Sequence, residues 1–302
     1  MHTLSALINR GVEIEEIVIK GATEKNISVF MLRLDLVHPL IAGNKLFKLF
    51  YFLQRALQSP QKRITTFGGA YSNHLAATAA ACNENNILSK GIVNGTKPLT
   101  LSHTLEFCIR MGMELEYVSR SEYRRLNQEA IERNSSNVLD DILIPEGGFS
   151  NQGVNGAALI CNYYKHHNFT HVCSAVGSGT TLAGLVKGSD PQQKVIGFSV
   201  VNDPELELNI RSLLHVSKDN YQLIPKFNFG GFAKKTPALI NFMNDFFRKY
   251  TIPLDFVYTG KMMFGVDALL RENYFPEHSK ILCIHTGGLQ GNLSLPVGTL
   301  NF

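Results

Sequence analysis

A chain of 302 residues, 44% hydrophobic and 18% charged, has an ordinary globular composition and is long enough for one large or two average domains. Its net charge of +4 is small, and its densest basic stretches are pairs (Arg124 with Arg125, Lys234 with Lys235), which argues against a nucleic-acid surface. No apolar run reaches the roughly 20 residues of a membrane span, and the N-terminus lacks a basic-then-apolar leader pattern, so no membrane partner is expected and the cytoplasm is the expected location. The five cysteines form no CxxC pair and have apolar neighbours, so they read as buried thiols in a reducing compartment.

Along the chain, β-branched and aromatic runs alternate with segments of helical periodicity. Strands are expected over 64–67, 91–94, 114–118 and 142–145, with helices over 74–84, 103–111 and 122–133 between them. The second half repeats the theme, with strands over 172–176, 195–200 and 281–285 and helices over 181–186, 204–214, 237–248 and 262–271. Such alternation predicts an α/β fold with mainly parallel sheets covered on both faces. Strand, glycine and helix follow one another at Gly68, Gly177 and Gly287, and loops of this kind lie where open α/β sheets bind ligands. No linker or repeat interrupts the pattern, so two interleaved open parallel-sheet domains are expected, with a seam near 146–153.

Four segments carry candidate chemistry. The loop VGSGTT over 176–181 offers backbone amides of Gly177 and Gly179 and hydroxyls of Ser178, Thr180 and Thr181. It suits a single small phosphate, since it has neither the P-loop pattern nor a complete dinucleotide fingerprint; a plain tight turn is the alternative. In GGAYSNH over 68–74, Ser72 or Asn73 falls where a helix cap belongs, or the exposed amides there receive a substrate carboxylate. In AGNKLFK over 42–48, Lys45 and Lys48 share one helical face, and two solvated lysines are the default reading. In DFVYTGK over 255–261, Tyr258 is read at the end of a strand, where packing is the simplest role. The ten histidines are scattered, and no metal cluster is expected.

In this order, GNKLFKL, GGAYSNH, VGSGTTLAG, VYTGK and HTGG resemble the D-cysteine desulfhydrase and 1-aminocyclopropane-1-carboxylate deaminase family, over about 34–291. That family lies within the tryptophan-synthase-β-like pyridoxal-phosphate enzymes. The resemblance implies pyridoxal 5'-phosphate as cofactor, held by Lys45 as a Schiff base. It implies a phosphate supported by Lys48 and by the loop from Gly177 to Thr181, Asn73 on the cofactor's phenolic oxygen and Thr286 on its pyridine nitrogen. Ser72, Asn73, His74 and Tyr258 would meet a small amino-acid substrate, with Lys45, Ser72 and Tyr258 as the catalytic set. A large cofactor domain of residues 1–47 plus 151–302, a small domain of residues 48–150 and a homodimer are expected with it.

Deaminases of the family carry Glu after the VY tyrosine and Leu after the late His, whereas this chain has Thr259 and Thr286. That pattern favours desulfhydrase-like β-elimination giving pyruvate, ammonia and sulfide over cyclopropane opening. Racemisation, β-replacement and a non-enzymatic cofactor- or phosphate-binding role are the alternatives. Two departures concern the substrate side. Phe232 stands where the family keeps a second tyrosine, and the arginine often found after the Ser-Asn pair is missing from HLAATAAA.

Overall fold

A computed structural model describes residue 8 and residues 11–134, 142–214 and 218–302; the expectation about the N-terminus falls largely outside them. The chain runs β1 (Ile14–Glu16), β2 (Ser28–Leu32), α1 (Asn44–Gln58), β3 (Arg63–Gly68), α2 (Asn73–Glu84), β4 (Leu88–Asn94), α3 (His103–Arg110), β5 (Glu114–Val118), α4 (Arg120–Arg133) and β6 (Ile142–Ile144). It continues through α5 (Asn151–Ala158), β7 (His171–Val176), α6 (Thr180–Gly188), β8 (Lys194–Ser199), α7 (Leu206–Leu214), β9 (Tyr221–Ile224), α8 (Pro237–Tyr250), α9 (Thr259–Arg271) and β10 (Lys280–Ile284).

Two open sheets result, ordered β1-β2-β10-β7-β8-β9 and β5-β4-β3-β6. Every pairing is parallel except the short antiparallel edge of β1 on β2. The chain leaves the large sheet after β2, builds the small sheet, and returns at β7, which is the expected interleaving. β7 is buried at every position, as a central parallel strand covered on both faces must be.

Every expected strand and helix but one is present, with ends that fall within three residues of the expected ones. Three strands escaped the pattern: β1 and β9 are edge strands of three and four residues, too short for a periodic signal, and β2 (SVFML) shows no alternation. The strand expected to end at Tyr258 is absent. The Asp255 carboxylate takes the amides of Val257, Tyr258 and Thr259 instead, so the segment turns and Tyr258 caps α9. A strand would have needed those same amides for its ladder.

Ser72, Ser102, Ser119, Ser150 and Thr236 each cap a helix by accepting a backbone N–H three residues on. The N-terminus of α1 is held against the end of β10 by Gly43. Its φ of 72° is left-handed, and a Cβ there would run into the carbonyl oxygen of Thr286. Apolar side chains pack on both faces of the large sheet, Leu46, Phe47 and Leu182 on one and Met31, Phe198 and Met262 on the other. These cores leave the carboxyl ends of β3, β6, β7 and β10 facing one cleft.

Candidate active site

Lys45 and Lys48 lie in the first turns of α1, and both are buried, at 7% and 5% exposure. The default of two solvated lysines is therefore overturned. Gly43 brings the start of this helix against β10, so its polar first turn is enclosed by the loops beyond the strands. Lys48 Nζ donates to the Gly147 carbonyl at 2.7 Å, which ties α1 to the turn after β6. Lys45 Nζ stands 5.3 Å from the ring centre of Tyr258.

The loop after β7 forms one wall. Gly179, with φ of 87°, caps α6, whose first turn carries Thr180 and Thr181. The Ser178 and Thr180 hydroxyls are 3.1 Å apart, and the Thr181 hydroxyl accepts from Asn44 Nδ2 at 2.7 Å. A Cβ on Gly177 would come within 3.3 Å of Tyr258 Cε1, so this glycine gives the tyrosine ring its room. Amides, hydroxyls and the positive end of α6 thus converge beside Lys48, which is what one phosphate requires.

The start of α2 forms the opposite wall. Ser72 caps the helix through Leu75 N, so the capping role holds, and its hydroxyl proton stays free to donate. The amides of Asn73 and His74, at the first two helical positions, have no partner within the helix. The Thr66 hydroxyl donates to the Ile144 carbonyl at 2.8 Å, so its oxygen accepts from His74 Nε2 at 2.9 Å. That fixes His74 with Nδ1 unprotonated, buried and unpartnered. Asn73 Oδ1 and Asn44 Oδ1 are also buried without partners. Three open polar atoms beside a buried lysine fit a polar ligand that would bond to them.

The third wall is the turn before α9, and Asp255 organises it. This carboxylate is fully buried and also accepts the Thr259 hydroxyl at 2.7 Å. The side chain of Thr259 is therefore consumed within the turn. Thr286, at the end of β10, is buried, and its carbonyl accepts from Asn44 N at 3.3 Å. Behind it His285 bridges two loops, with Nε2 on the Pro253 carbonyl at 2.7 Å and Nδ1 accepting from Gly287 N at 3.3 Å. The residues gathered from the sequence thus line one cleft. Asp255, Asn44 and His285 were not singled out, although an acidic residue just before a helix start is a recognisable capping signal.

Burial dominates the electrostatics. It lowers Lys45 to about 8, against the opposing pull of Asp255, and together with the Lys45 charge it lowers Lys48 to about 7. Burial, then Lys48 and Lys45, push His74 well below its usual range, so the ring is neutral. Burial, then the carboxylates of Asp255 and Glu146, raise Tyr258 and keep its phenol protonated.

Both lysines titrate below their ordinary 10.5, so from about 7 to about 10.5 the unfolded chain holds more protons. The cofactor-free protein should gain stability as pH rises through that window, and that gain is lost as pH falls toward 7. Removing one titrating lysine with Lys48→Met should flatten the rise in melting stability by up to about 1.4 kcal/mol per pH unit. Equal pH slopes in the two proteins would contradict the burial of a neutral Lys48.

The residues fit a phosphorylated aldehyde cofactor. Lys45 would hold its carbonyl carbon, Lys48 and the Gly177–Thr181 loop its phosphate, Asn73 its phenolic oxygen and Thr286 its ring nitrogen. This arrangement, in a cleft between two open parallel sheets, defines the class of enzymes that carry pyridoxal phosphate on a lysine. Comparison with known proteins narrows the class. The pattern described as "Pyridoxal-phosphate dependent enzyme" matches residues 19–287, and the chain belongs to that family.

Among its relatives is the mitochondrial bifunctional D-cysteine desulfhydrase/1-aminocyclopropane-1-carboxylate deaminase of Arabidopsis thaliana. The two are 29% identical over 279 residues, which cover 83% of this chain and 70% of the relative. D-cysteine desulfhydrase of Yersinia enterocolitica is 25% identical over 293 residues, covering 86% of each. The solved structure of an ACC deaminase homologue superposes with a TM-score of 0.77 at 27% identity, over 96% of this chain and 95% of that one. The tryptophan-synthase-β-like fold expected from the sequence is therefore the fold observed.

Proposed function

We propose that this enzyme is a lyase that removes a β-substituent from a small amino acid by desulfhydrase-like elimination, yielding pyruvate and ammonia. The observation that carries the reading is Lys45, buried at the start of α1, with Tyr258 on one side and the phosphate-sized nest beyond it. Bound there, the cofactor supplies an electron sink that acidifies the substrate's Cα–H.

The chain's own residues then have distinct tasks. The free amides of Asn73 and His74, at the positive end of α2, orient the substrate carboxylate. Ser72 can donate its hydroxyl proton to the same group. Lys45, lowered to about 8, has a far larger neutral fraction near physiological pH than an ordinary lysine and can take the Cα proton in that form. Tyr258, held protonated, can donate to the departing group. Thr286 offers the ring nitrogen a hydroxyl and not a carboxylate, which supports elimination over chemistry that needs a strongly charged ring.

Pyruvate release settles the matter. The holoenzyme is expected to form pyruvate from β-chloroalanine and from at least one enantiomer of cysteine. If instead 1-aminocyclopropane-1-carboxylate is opened to 2-oxobutanoate while neither compound yields pyruvate, the deaminase alternative replaces this reading. That alternative keeps its place because the Arabidopsis relative is named for both activities. Family membership displaces the non-enzymatic alternative.

We read residues 48–150 as a small domain and 1–47 plus 151–302 as the cofactor domain, a reading supported by the division of the strands between two sheets, although α1 crosses the boundary at 47/48. The family resemblance supports a homodimer. Five free, buried cysteines support a reducing location such as the cytoplasm, and among the described residues no helix is long and apolar enough to cross a membrane.

A further inference from the structure

We infer that the substrate side of the cleft is an aromatic subsite for an apolar β-substituent, so that S-alkyl and S-aryl thioethers of cysteine are better substrates than cysteine itself. The inference rests on the elimination reading above and concerns the group that leaves. Phe232 is 55% exposed, yet the loop that presents it is firmly held. Lys261, fully buried in α9, donates to the carbonyls of Asn228 at 2.8 Å and Gly231 at 2.7 Å. Asn202 Nδ2 adds a bond to the Gly230 carbonyl at 3.2 Å.

The backbone around Phe232 is left-handed at Phe229 (φ 54°) and Ala233 (φ 54°), neither of them glycine. Such conformations cost energy and persist only where surrounding structure enforces them, and they concentrate at ligand clamps. A strained, clamped loop that holds a phenylalanine in water has the form of a binding feature.

The place of the ring says what it binds. Phe232 meets Tyr258 edge to face, with centroids 6.0 Å apart and planes at 71°. Tyr258 in turn stands over Lys45 Nζ. Lys261 and Tyr258 belong to the same helix start, so the Phe232 loop and the Tyr258 turn are fixed to one element. The rings therefore lead outward from the nitrogen that acts at Cα, in the direction a substituent beyond Cβ would extend. Tyr71, which precedes Ser72 and Asn73 in the same turn, is a second exposed ring, 59% exposed and 5.7 Å from that of His103. A bare thiol ends too close to Cβ to use these rings, whereas a benzyl or alkyl group on sulfur would cover them and remove their apolar surface from water.

The reaction balances with water as its one further reactant. Lys45 takes the Cα proton, the Cβ–S bond breaks with its electron pair on sulfur, and the thiolate takes up a proton to leave as R–SH. One water then converts the remaining three-carbon fragment to pyruvate and ammonium.

The test assays pyruvate and free thiol from the holoenzyme with S-benzylcysteine, S-methylcysteine and cysteine, in both enantiomers, and with β-chloroalanine as reference. We expect kcat/KM for S-benzylcysteine to exceed that for cysteine by about tenfold or more. In Phe232→Ala that ratio should fall several-fold, mainly through KM, an effect of the size aromatic pairs show. Phe232→Tyr, which keeps the ring, should preserve it, and melting curves of both variants show whether a loss reflects folding.

A preference for cysteine, or a ratio unchanged in both Phe232→Ala and Tyr71→Ala, overturns the aromatic subsite and leaves the elimination reading intact. Absence of pyruvate from every compound, β-chloroalanine included, overturns both.

Discussion

Replacing Lys45 by alanine should abolish the visible absorption band of the bound cofactor and reduce turnover by roughly 10²–10⁴-fold or more. Lys45 is the lysine whose Nζ faces Tyr258, whereas Lys48 is already committed to the Gly147 carbonyl. Lys48→Ala should therefore keep the band while weakening retention of the phosphorylated cofactor, because a lysine held against the neighbouring Gly147 turn is lost. The two substitutions remove the same kind of side chain one helical turn apart, so general damage to α1 would affect them alike. A band surviving in Lys45→Ala and missing from Lys48→Ala would reverse the assignment. The loss of kcat should persist at saturating cofactor in the first variant and recover in the second.

Asp255→Ala is expected to have the largest effect on stability among the site residues. Its carboxylate accepts three backbone amides and one hydroxyl in a fully buried turn, at 2.7–3.0 Å. Removing it leaves several buried donors unsatisfied, each worth about 1–3 kcal/mol, so a total loss of about 3–5 kcal/mol is expected. For a protein of this size that lowers the melting temperature by roughly 5–10 °C. Asp255→Asn should recover only part of it, because an amide nitrogen would face donors where an oxygen now accepts.

Function should fall as well. The turn holds Tyr258 over Lys45, and Asp255 is the neighbour that pulls the Lys45 pKa upward against burial. Without it, Lys45 should lose its proton at lower pH, shifting downward the acidic limb of the kcat profile, which reports the substrate complex in which this amine is free. A variant that melts within 2 °C of the parent (roughly 1 kcal/mol at most) would show that the turn does not depend on this cap. An unmoved acidic limb would separate Asp255 from Lys45.

Much of the fold was legible because its causes are local. Central strands such as 172–176 read as short β-branched runs, and α2 begins where Ser72 can cap it. The capping reading of Ser72 and the binding reading of its turn looked like alternatives, but the structure shows one residue compatible with both. Its oxygen accepts Leu75 N, and the amides of the next two residues stay open. The edge strands β1 and β9 were not legible, since three and four residues are too few for a periodic signal and each is ordered by the strand alongside it.

The segment carrying Tyr258 misled for a related reason. Its residues favour a strand, but a buried Asp255 offered its amides better acceptors. Phe232 stood out in the sequence only as a missing hydroxyl. The clamp from Lys261, more than twenty residues later, presents it as an exposed ring above Tyr258.

By itself the sequence determined the α/β alternation, the glycine turns at the ends of strands and, through the ordered motifs, the family to which Lys45 belongs. It could not determine that Lys45 and Lys48 are buried. A lysine at helical spacing is solvated unless something covers it, and here the cover comes from β10, from the turn after β6 and from Tyr258, brought together only when both sheets close on α1. Burial then lowers both lysines toward neutral pH, because removing water penalises their charged forms. The chemistry of Lys45 is thus a property of the tertiary structure, carried by a residue that only its motif marks in the sequence.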